Sequence, residues 1–185
     1  MSGGVRLLTV GHGTLPAERF AALLNQAGVE HLVDVRTAPG SRHNPQFGRA
    51  ELSAWLPAAG IGYRWERRLG GFRRADPDSP NTGLRHPAFR GYADHMRTGD
   101  FYAALDEVLR EAASNATAVM CSESVWWRCH RRLVADAAML LRGAEARHLM
   151  HDGSLRPHQP TEGVRRDGDT LVYAAPQLTL PTTPG

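Results

Sequence analysis

The side chains best suited to chemistry lie between Cys121 and Arg132. This segment contains both cysteines of the chain, Cys121 and Cys129, together with Glu123 and His130. A thiol close to arginine side chains and to a helix amino terminus has a lowered pKa and a larger thiolate fraction, so Cys121 is a candidate nucleophile. Free cysteine also packs as a small hydrophobic residue, and the alternative is that Cys121 is buried and structural.

Three residues are candidates for proton transfer: Glu123 first, then Asp34 and His12. A carboxylate beside a thiol and an apolar strand end can have a raised pKa, which suits proton transfer near neutral pH. The alternative for Glu123 is an ion pair with Arg131 or Arg36 that holds the loop in place. The sequence does not decide between these two roles.

The same segment offers the ligand types that zinc prefers, in Cys121, Cys129, His130 and Glu123. Zinc sites commonly pair their ligands two to four residues apart at each end, and this spacing lacks that form. The adjacent residues Cys129 and His130 would also point in different directions on a helix. Metal binding is therefore open but not favoured, and we predict no other cofactor.

Arginine supplies all the basic side chains, since the 22 lysine and arginine residues include no lysine. Its guanidinium group forms two parallel hydrogen bonds to a phosphate or carboxylate. We expect Arg36, Arg42 and Arg131 to form an anion-binding cradle; the alternative is solvated surface arginines. Tyr63 or a tryptophan would stack on a base or sugar. The predicted ligand-binding residues are Arg36, Ser41, Arg42, Tyr63, Gly70, Gly71, Trp126, Arg128, His130 and Arg131.

The composition limits the class of protein. A chain of 185 residues suits one domain with an ordinary hydrophobic core. It has no apolar run of membrane-spanning length and no signal peptide, which predicts a cytoplasmic protein without a membrane partner. Two cysteines do not make a disulfide framework. The formal net charge of +3 permits nucleic acid binding without requiring it. The oligomeric state is left open.

Strand and helix patterns alternate along the chain and predict the fold. Apolar runs predict strands over residues 5–10, 31–36, 61–65, 117–121 and 144–149, with a weaker edge strand at 171–174. Helical spacing predicts helices over 15–27, 49–59, 87–96, 101–112 and 129–142. This order indicates a single α/β domain over residues 1–175, a three-layer sandwich with a mostly parallel, Rossmann-like sheet flanked by helices. We expect the Pro- and Thr-rich residues 176–185 to form a disordered tail.

Polar side chains lie at the carboxyl ends of the predicted strands. Because parallel strands deliver these ends to one edge of a sheet, residues from distant segments should meet there. They are His12, Asp34, Arg36, Glu66, Cys121 and His148. Asp34 and Arg36 are two residues apart and share a face of their strand. We expect His148 to be a hydrogen-bonded structural residue and the others to surround a ligand site.

Several short motifs resemble the domain-of-unknown-function 488 family of small bacterial proteins. They are TVGHG at 9–13, LVDVR at 32–36, PGSR at 39–42, NPQF at 44–47, GIGY at 60–63, LGG at 69–71, GY at 91–92, MCSE at 120–123 and CHR at 129–131. The resemblance spans about residues 8–150 and implies the family's α/β fold and site, with no settled reaction. Gly13 departs from the family, which more often has serine there, so that hydroxyl is not indispensable in this chain.

The first functional hypothesis is an enzyme, a hydrolase or transferase, that binds an anionic nucleotide-like or nucleic-acid substrate at this sheet edge. Hydrolysis or transfer at an N-glycosidic bond, with a carboxylate as acid–base, fits such a site. One alternative is a cysteine-dependent enzyme that uses a thiolate or transfers sulfur. Another is a non-catalytic module that binds a nucleotide or nucleic acid in the same place. The sequence names neither the substrate nor the reaction.

Overall fold

The computed structural model describes residues 4–175, and the tail expected at 176–185 lies outside them. The helices are α1 (Ala17–Gln26), α2 (Arg49–Ala58), α3 (Pro87–His95), α4 (Gly99–Ser114) and α5 (Arg131–Arg142). The strands are β1 (Arg6–Gly11), β2 (His31–Asp34), β3 (Gly62–Trp65), β4 (Thr117–Cys121), β5 (Glu145–Leu149), β6 (Leu155–Pro157), β7 (Val164–Asp167) and β8 (Thr170–Tyr173). Among the helices of these described residues, none is both long and apolar enough to cross a membrane.

The main sheet confirms the predicted α/β class. Its strands lie in the order β3-β2-β4-β1-β5-β6, and neighbouring strands are parallel except for β6, which runs antiparallel to β5. The carboxyl ends of β1, β2 and β4 are therefore adjacent at the centre of one edge. This arrangement brings together the loops that the sequence analysis singled out.

Two apolar clusters cover opposite faces of the sheet and account for its three layers. Leu7 of β1 packs in the cluster that contains Phe101 of α4 and Leu133 of α5. The next residue, Leu8, packs in the other cluster with Phe20 of α1 and Leu52 of α2. Successive side chains alternate across a strand, so an unbroken apolar run fits a strand that is buried on both faces.

A small hairpin differs from the prediction of an edge strand at residues 171–174. That segment forms β8, which pairs antiparallel with β7 and not with the main sheet. Its apolar residues still reach the core, because Leu171 and Tyr173 are buried in the cluster under α5. The strand β7 escaped prediction because its sequence, VRRD, is mostly charged and exposed and has no apolar alternation.

The irregular segment over residues 72–85 is anchored at several points. Asp94 of α3 accepts a hydrogen bond from the Asn81 side chain at 2.7 Å. The Gly83 amide donates to the carbonyl of Tyr173 at 2.8 Å, which ties the segment to β8. The segment is a fixed part of the fold in this structure.

Candidate functional site

A cleft of about 1440 Å³ opens at the carboxyl edge of the sheet. The loops that follow β1, β2 and β4 form its floor, and residues 82–89 form part of a wall. The predicted site residues that line it are His12, Arg36, Ser41, Gly71, Cys121, Glu123, Arg128 and His130. The remaining predicted residues, Asp34, Arg42, Tyr63, Gly70, Trp126 and Arg131, are not among its lining residues. The predicted sheet edge therefore contains a cleft, and only some of the predicted site residues line it.

Asp34 is buried and fully occupied by hydrogen bonds. Its Oδ1 accepts from Nε of Arg36 at 2.9 Å, and its Oδ2 accepts from NH2 of Arg36 at 2.6 Å and from the Tyr63 hydroxyl at 2.8 Å. Burial and the Asp34 charge raise the pKa of Tyr63, which keeps its hydroxyl protonated as a donor. Asp34 thus orients Arg36 and Tyr63, and Tyr63 is held away from the stacking role expected of it.

Arg36 reaches the cleft from this buried pair. Besides Asp34, it donates from NH2 to the carbonyl of Phe47 at 2.8 Å and from NH1 to Nε2 of His12 at 3.3 Å. The guanidinium is therefore held rigidly, with 6% of the residue exposed. A rigid, buried cation beside a cleft attracts anions more strongly than a solvated one does.

His12 is buried and neutral. Its Nδ1 donates to the carbonyl of Gly13 at 2.8 Å, its ring stacks on Phe47 with centroids 4.1 Å apart, and burial lowers its pKa to about 4. The next residue, Gly13, has a φ of +53°. That left-handed backbone conformation is strained for residues with a side chain.

The pKa values of the two thiols shift in opposite directions, and the shift at Cys121 is not the predicted one. Hydrogen bonding to Cys129 and burial raise the pKa of Cys121 to about 12. Burial opposes ionisation of Cys129, but the hydrogen bond from Cys121 and the charge and N–H groups of Arg131 lower its pKa to about 6. The predicted lowering of the pKa at Cys121 is therefore wrong, because the arginine contacts lie on Cys129 instead.

His130 lies against both sulfur atoms. Its Nδ1 is 3.7 Å from Sγ of Cys129 and 3.9 Å from Sγ of Cys121, while its Nε2 donates to the carbonyl of Val35 at 3.0 Å. The expectation that Cys129 and His130 diverge on a helix is wrong. The helix α5 begins only at Arg131, Cys129 has extended backbone angles, and the three side chains converge.

The arginines that line the cleft differ from those predicted to form the anion cradle. Arg131 is buried and donates to Oγ1 of Thr9 at 3.1 Å and to the main-chain carbonyl of Glu123 at 2.6 Å. It therefore holds the loop through the backbone, and the Glu123 side chain is exposed at the cleft. Arg42 is exposed outside the cleft, whereas Arg128 is exposed within it.

The two tryptophans have different roles. Trp126 stacks on His148 with ring centroids 4.1 Å apart and an interplanar angle of 5°. Trp127 is 48% exposed and lines the cleft, as does Phe72, which is 83% exposed. Trp126 is therefore engaged within the fold, and Trp127 is the tryptophan that is exposed at the cleft. The sequence could not distinguish two adjacent tryptophans, and nothing in the irregular segment marked Phe72.

His148 has the structural role that the sequence analysis expected. Its Nδ1 accepts from the Thr9 hydroxyl at 2.7 Å, and its Nε2 is 2.9 Å from Nδ1 of His158. His158 in turn contacts Oδ1 of Asp136 through Nε2 at 2.8 Å. This buried chain ties β5 to α5. The contacts of Thr9, Asp136 and His158 were not predicted, because the spacing of these residues along the chain gives no signal of contact.

The fold and the cleft define an α/β protein with an arginine-lined cleft at the carboxyl edge of a mostly parallel sheet. The chain belongs to the family described as Domain of unknown function DUF488, whose profile matches residues 16–138. The match begins after β1 and ends inside α5, so it includes Arg36, Cys121 and His130 but neither His12 nor His148. No curated protein and no solved structure matches the chain significantly.

Proposed function

We propose that the protein is an enzyme that binds an anionic, nucleotide-like ligand in this cleft. The supporting observation is that exposed aromatic surface and arginine charge occur in the same place. Among the residues that the structure describes, Phe72 and Trp127 are the exposed large hydrophobic side chains, and both line the cleft with Arg128. A nucleotide presents both a flat base and a phosphate, and this combination matches it.

The charge of the cleft favours an anion. Its charged lining residues, histidines aside, are Arg36, Arg85, Arg128, Arg132, Glu123 and Glu162. Four arginines against two glutamates leave a positive balance, which raises the local concentration of anionic ligands. Phosphate contacts from arginine are also the main source of affinity for nucleic acid. A nucleic-acid strand, which also carries phosphate groups, is therefore a second candidate ligand for the same cleft.

The aromatic side chains would hold the base. Stacking of a base on an aromatic ring contributes about 1–3 kcal/mol and depends little on the identity of the base. Trp127 is oriented edge-on to Trp126, with centroids 5.7 Å apart and planes at 89°. Because Trp126 is itself stacked on His148, Trp127 rests on a fixed support while remaining exposed.

Glu123 is the acid–base group that this proposal uses. It lies two residues beyond the end of β4 and lines the cleft, whereas the Asp34 carboxylate is occupied by Arg36 and Tyr63. A carboxyl group that protonates a departing base would assist hydrolysis or transfer at an N-glycosidic bond. We also place the protein in the cytoplasm, since both of its cysteines are free thiols, which persist in reducing compartments.

Release of free base from nucleosides, nucleotides and short oligonucleotides tests this function. We expect wild-type protein to release base from one of these classes, and Glu123→Gln to lower the rate by about 10²–10⁴-fold. The matched control is Glu18→Gln, an exposed carboxylate on α1. Full activity in Glu123→Gln would remove Glu123 from the mechanism. Tight binding without conversion would instead support a non-catalytic binding module.

A further inference from the structure

We propose that Cys121, Cys129 and His130 bind a zinc ion at the floor of the cleft. All three residues are buried, and one potential ligand atom from each lies within 4.8 Å of the other two. Nothing in this proposal depends on the nucleotide ligand, because the metal site is built from the chain's own side chains. It revises the sequence-based expectation, which disfavoured a metal on the basis of spacing alone.

The distances fit tetrahedral zinc. Zinc binds thiolate sulfur at about 2.3 Å and imidazole nitrogen at about 2.0–2.1 Å, which places a sulfur and a nitrogen ligand about 3.6 Å apart. Here Nδ1 of His130 lies 3.7 Å from Sγ of Cys129 and 3.9 Å from Sγ of Cys121. Both sulfur–nitrogen distances are therefore within a few tenths of an ångström of the value for zinc.

The histidine is oriented as a ligand. Nε2 of His130 donates its hydrogen to the carbonyl of Val35 at 3.0 Å, so the lone pair of the neutral ring is on Nδ1, toward the two sulfurs. A zinc-binding histidine typically donates its other ring N–H to a carbonyl or carboxylate in this way. The ring can take this position because the facing residue is Gly71: a Cβ there would lie 2.5 Å from Nδ1.

The sulfur environment also suits a metal thiolate. Sγ of Cys129 accepts from the Arg131 amide at 3.5 Å and from the Arg131 Nε at 3.4 Å. N–H groups around a coordinating sulfur stabilise its negative charge. Thiolate and imidazole ligands select zinc over magnesium or calcium, which prefer oxygen.

The site is open on one side. Structural zinc usually has four protein ligands, whereas catalytic zinc has three and binds water or substrate at the fourth position. Cys121, Cys129 and His130 all line the cleft, so the remaining coordination position is available from there. A water molecule bound to such a zinc ion has a pKa near 7 and is a nucleophile at neutral pH.

Cobalt substitution of the full chain tests the site directly. Protein treated with a chelator under reducing conditions is titrated with Co²⁺ alone, and absorbance and bound metal are measured. We expect one cobalt ion per chain, a thiolate-to-cobalt charge-transfer band, tetrahedral visible bands, and loss of all three when zinc is added. We also expect zinc to protect both thiols from alkylation.

Variants locate the ligands. Cys129→Ser and His130→Asn should each weaken zinc binding by more than about 100-fold, since loss of a mere supporting contact already costs 10–100-fold. The matched control, His43→Asn, removes an exposed histidine and should bind zinc normally. Absence of the charge-transfer band in wild-type protein, or undiminished binding in both ligand variants, would overturn the proposal. If a variant fails to fold, the wild-type spectrum and alkylation rates still decide. Loss of metal binding would leave the nucleotide proposal standing, because nucleotide binding is measured separately.

Discussion

Asp34 and Arg36 form a two-point ion pair at the carboxyl end of β2, with Nε–Oδ1 and NH2–Oδ2 distances of 2.9 and 2.6 Å. Both side chains are buried, and the pair holds the guanidinium beside His12, with which Arg36 lines the cleft. The rigid Arg36 side chain at the cleft is therefore supported by a carboxylate that does not itself line the cleft.

We predict that Asp34→Asn lowers the free energy of unfolding by about 3–5 kcal/mol, because it leaves the Arg36 charge buried without its partner. Denaturant unfolding followed by circular dichroism measures this change. The control is Asp106→Asn, which breaks the solvent-exposed pair with Arg142 and should cost at most about 1 kcal/mol. Equal effects of the two substitutions would mean that the buried pair does not organise the site.

Acid should destabilise the protein through His148. Burial, the neighbouring His158 and the Arg131 charge lower the pKa of His148 to about 3, from 6.5 in the unfolded chain. Between these values the unfolded state binds the additional proton, so the free energy of unfolding falls as the pH drops from 6.5 toward 3. His12, whose pKa is lowered by burial to about 4, acts in the same direction.

His148→Gln should reduce this pH slope without abolishing it, because His12 still titrates. The measurement is the free energy of unfolding at several pH values between 7 and 4. The exposed-residue variant His43→Gln should keep the wild-type slope. An identical slope in wild-type and His148→Gln would show that His148 is not held neutral by the fold.

Substitution of the two tryptophans should have different effects, one on nucleotide binding and the other on the stability of the fold. Trp127→Ala removes an exposed side chain and should weaken nucleotide binding by about 1–3 kcal/mol while the melting temperature changes little. Trp126→Ala removes the stack on His148 and should destabilise the fold by more than about 1 kcal/mol. Calorimetric titration and thermal unfolding of both variants check this, and a reversed pattern would assign the stacking role to Trp126.

Gly71→Ala should impair metal binding without touching a ligand residue. The added Cβ would displace the His130 ring from the sulfurs, so the cobalt charge-transfer band should weaken or disappear. Gly99→Ala, at a position with nothing within 4 Å of an added Cβ, is the control. An unchanged cobalt spectrum in Gly71→Ala would show that the ring has another way to reach the metal.

The sequence predicted five of the six strands of the main sheet, because they follow apolar runs and alternate with helices of clear apolar periodicity, but it missed the short strand β6. The shared face of Asp34 and Arg36 also followed from their spacing on a strand. Their mutual pairing did not, because a charged side chain can equally point to a ligand. The consequence is that Asp34 changed from a candidate acid–base group to a support for Arg36.

The largest difference between the predicted and the observed site comes from the residue at which α5 begins. Placing the helix start at Cys129 makes neighbouring side chains diverge. The actual start at Arg131 leaves Cys129 on extended backbone before the helix, and its side chain converges with that of His130. A difference of two residues is ordinary for helix boundaries. Here it decides whether three potential zinc ligands meet.

A thermal-shift comparison tests the central claim, that the cleft binds an anionic nucleotide-like ligand. Wild-type protein and Arg128→Gln are heated with nucleotides, sugar phosphates, short oligonucleotides and inorganic phosphate. A ligand present at about a hundred times its Kd should stabilise wild-type protein by about 2.7 kcal/mol. We predict a rise in the Tm of wild-type protein with a nucleotide or oligonucleotide, and a smaller rise for Arg128→Gln. Anion binding in the cleft is contradicted if none of these ligands raises the Tm of folded wild-type protein, or if Arg128→Gln responds as strongly.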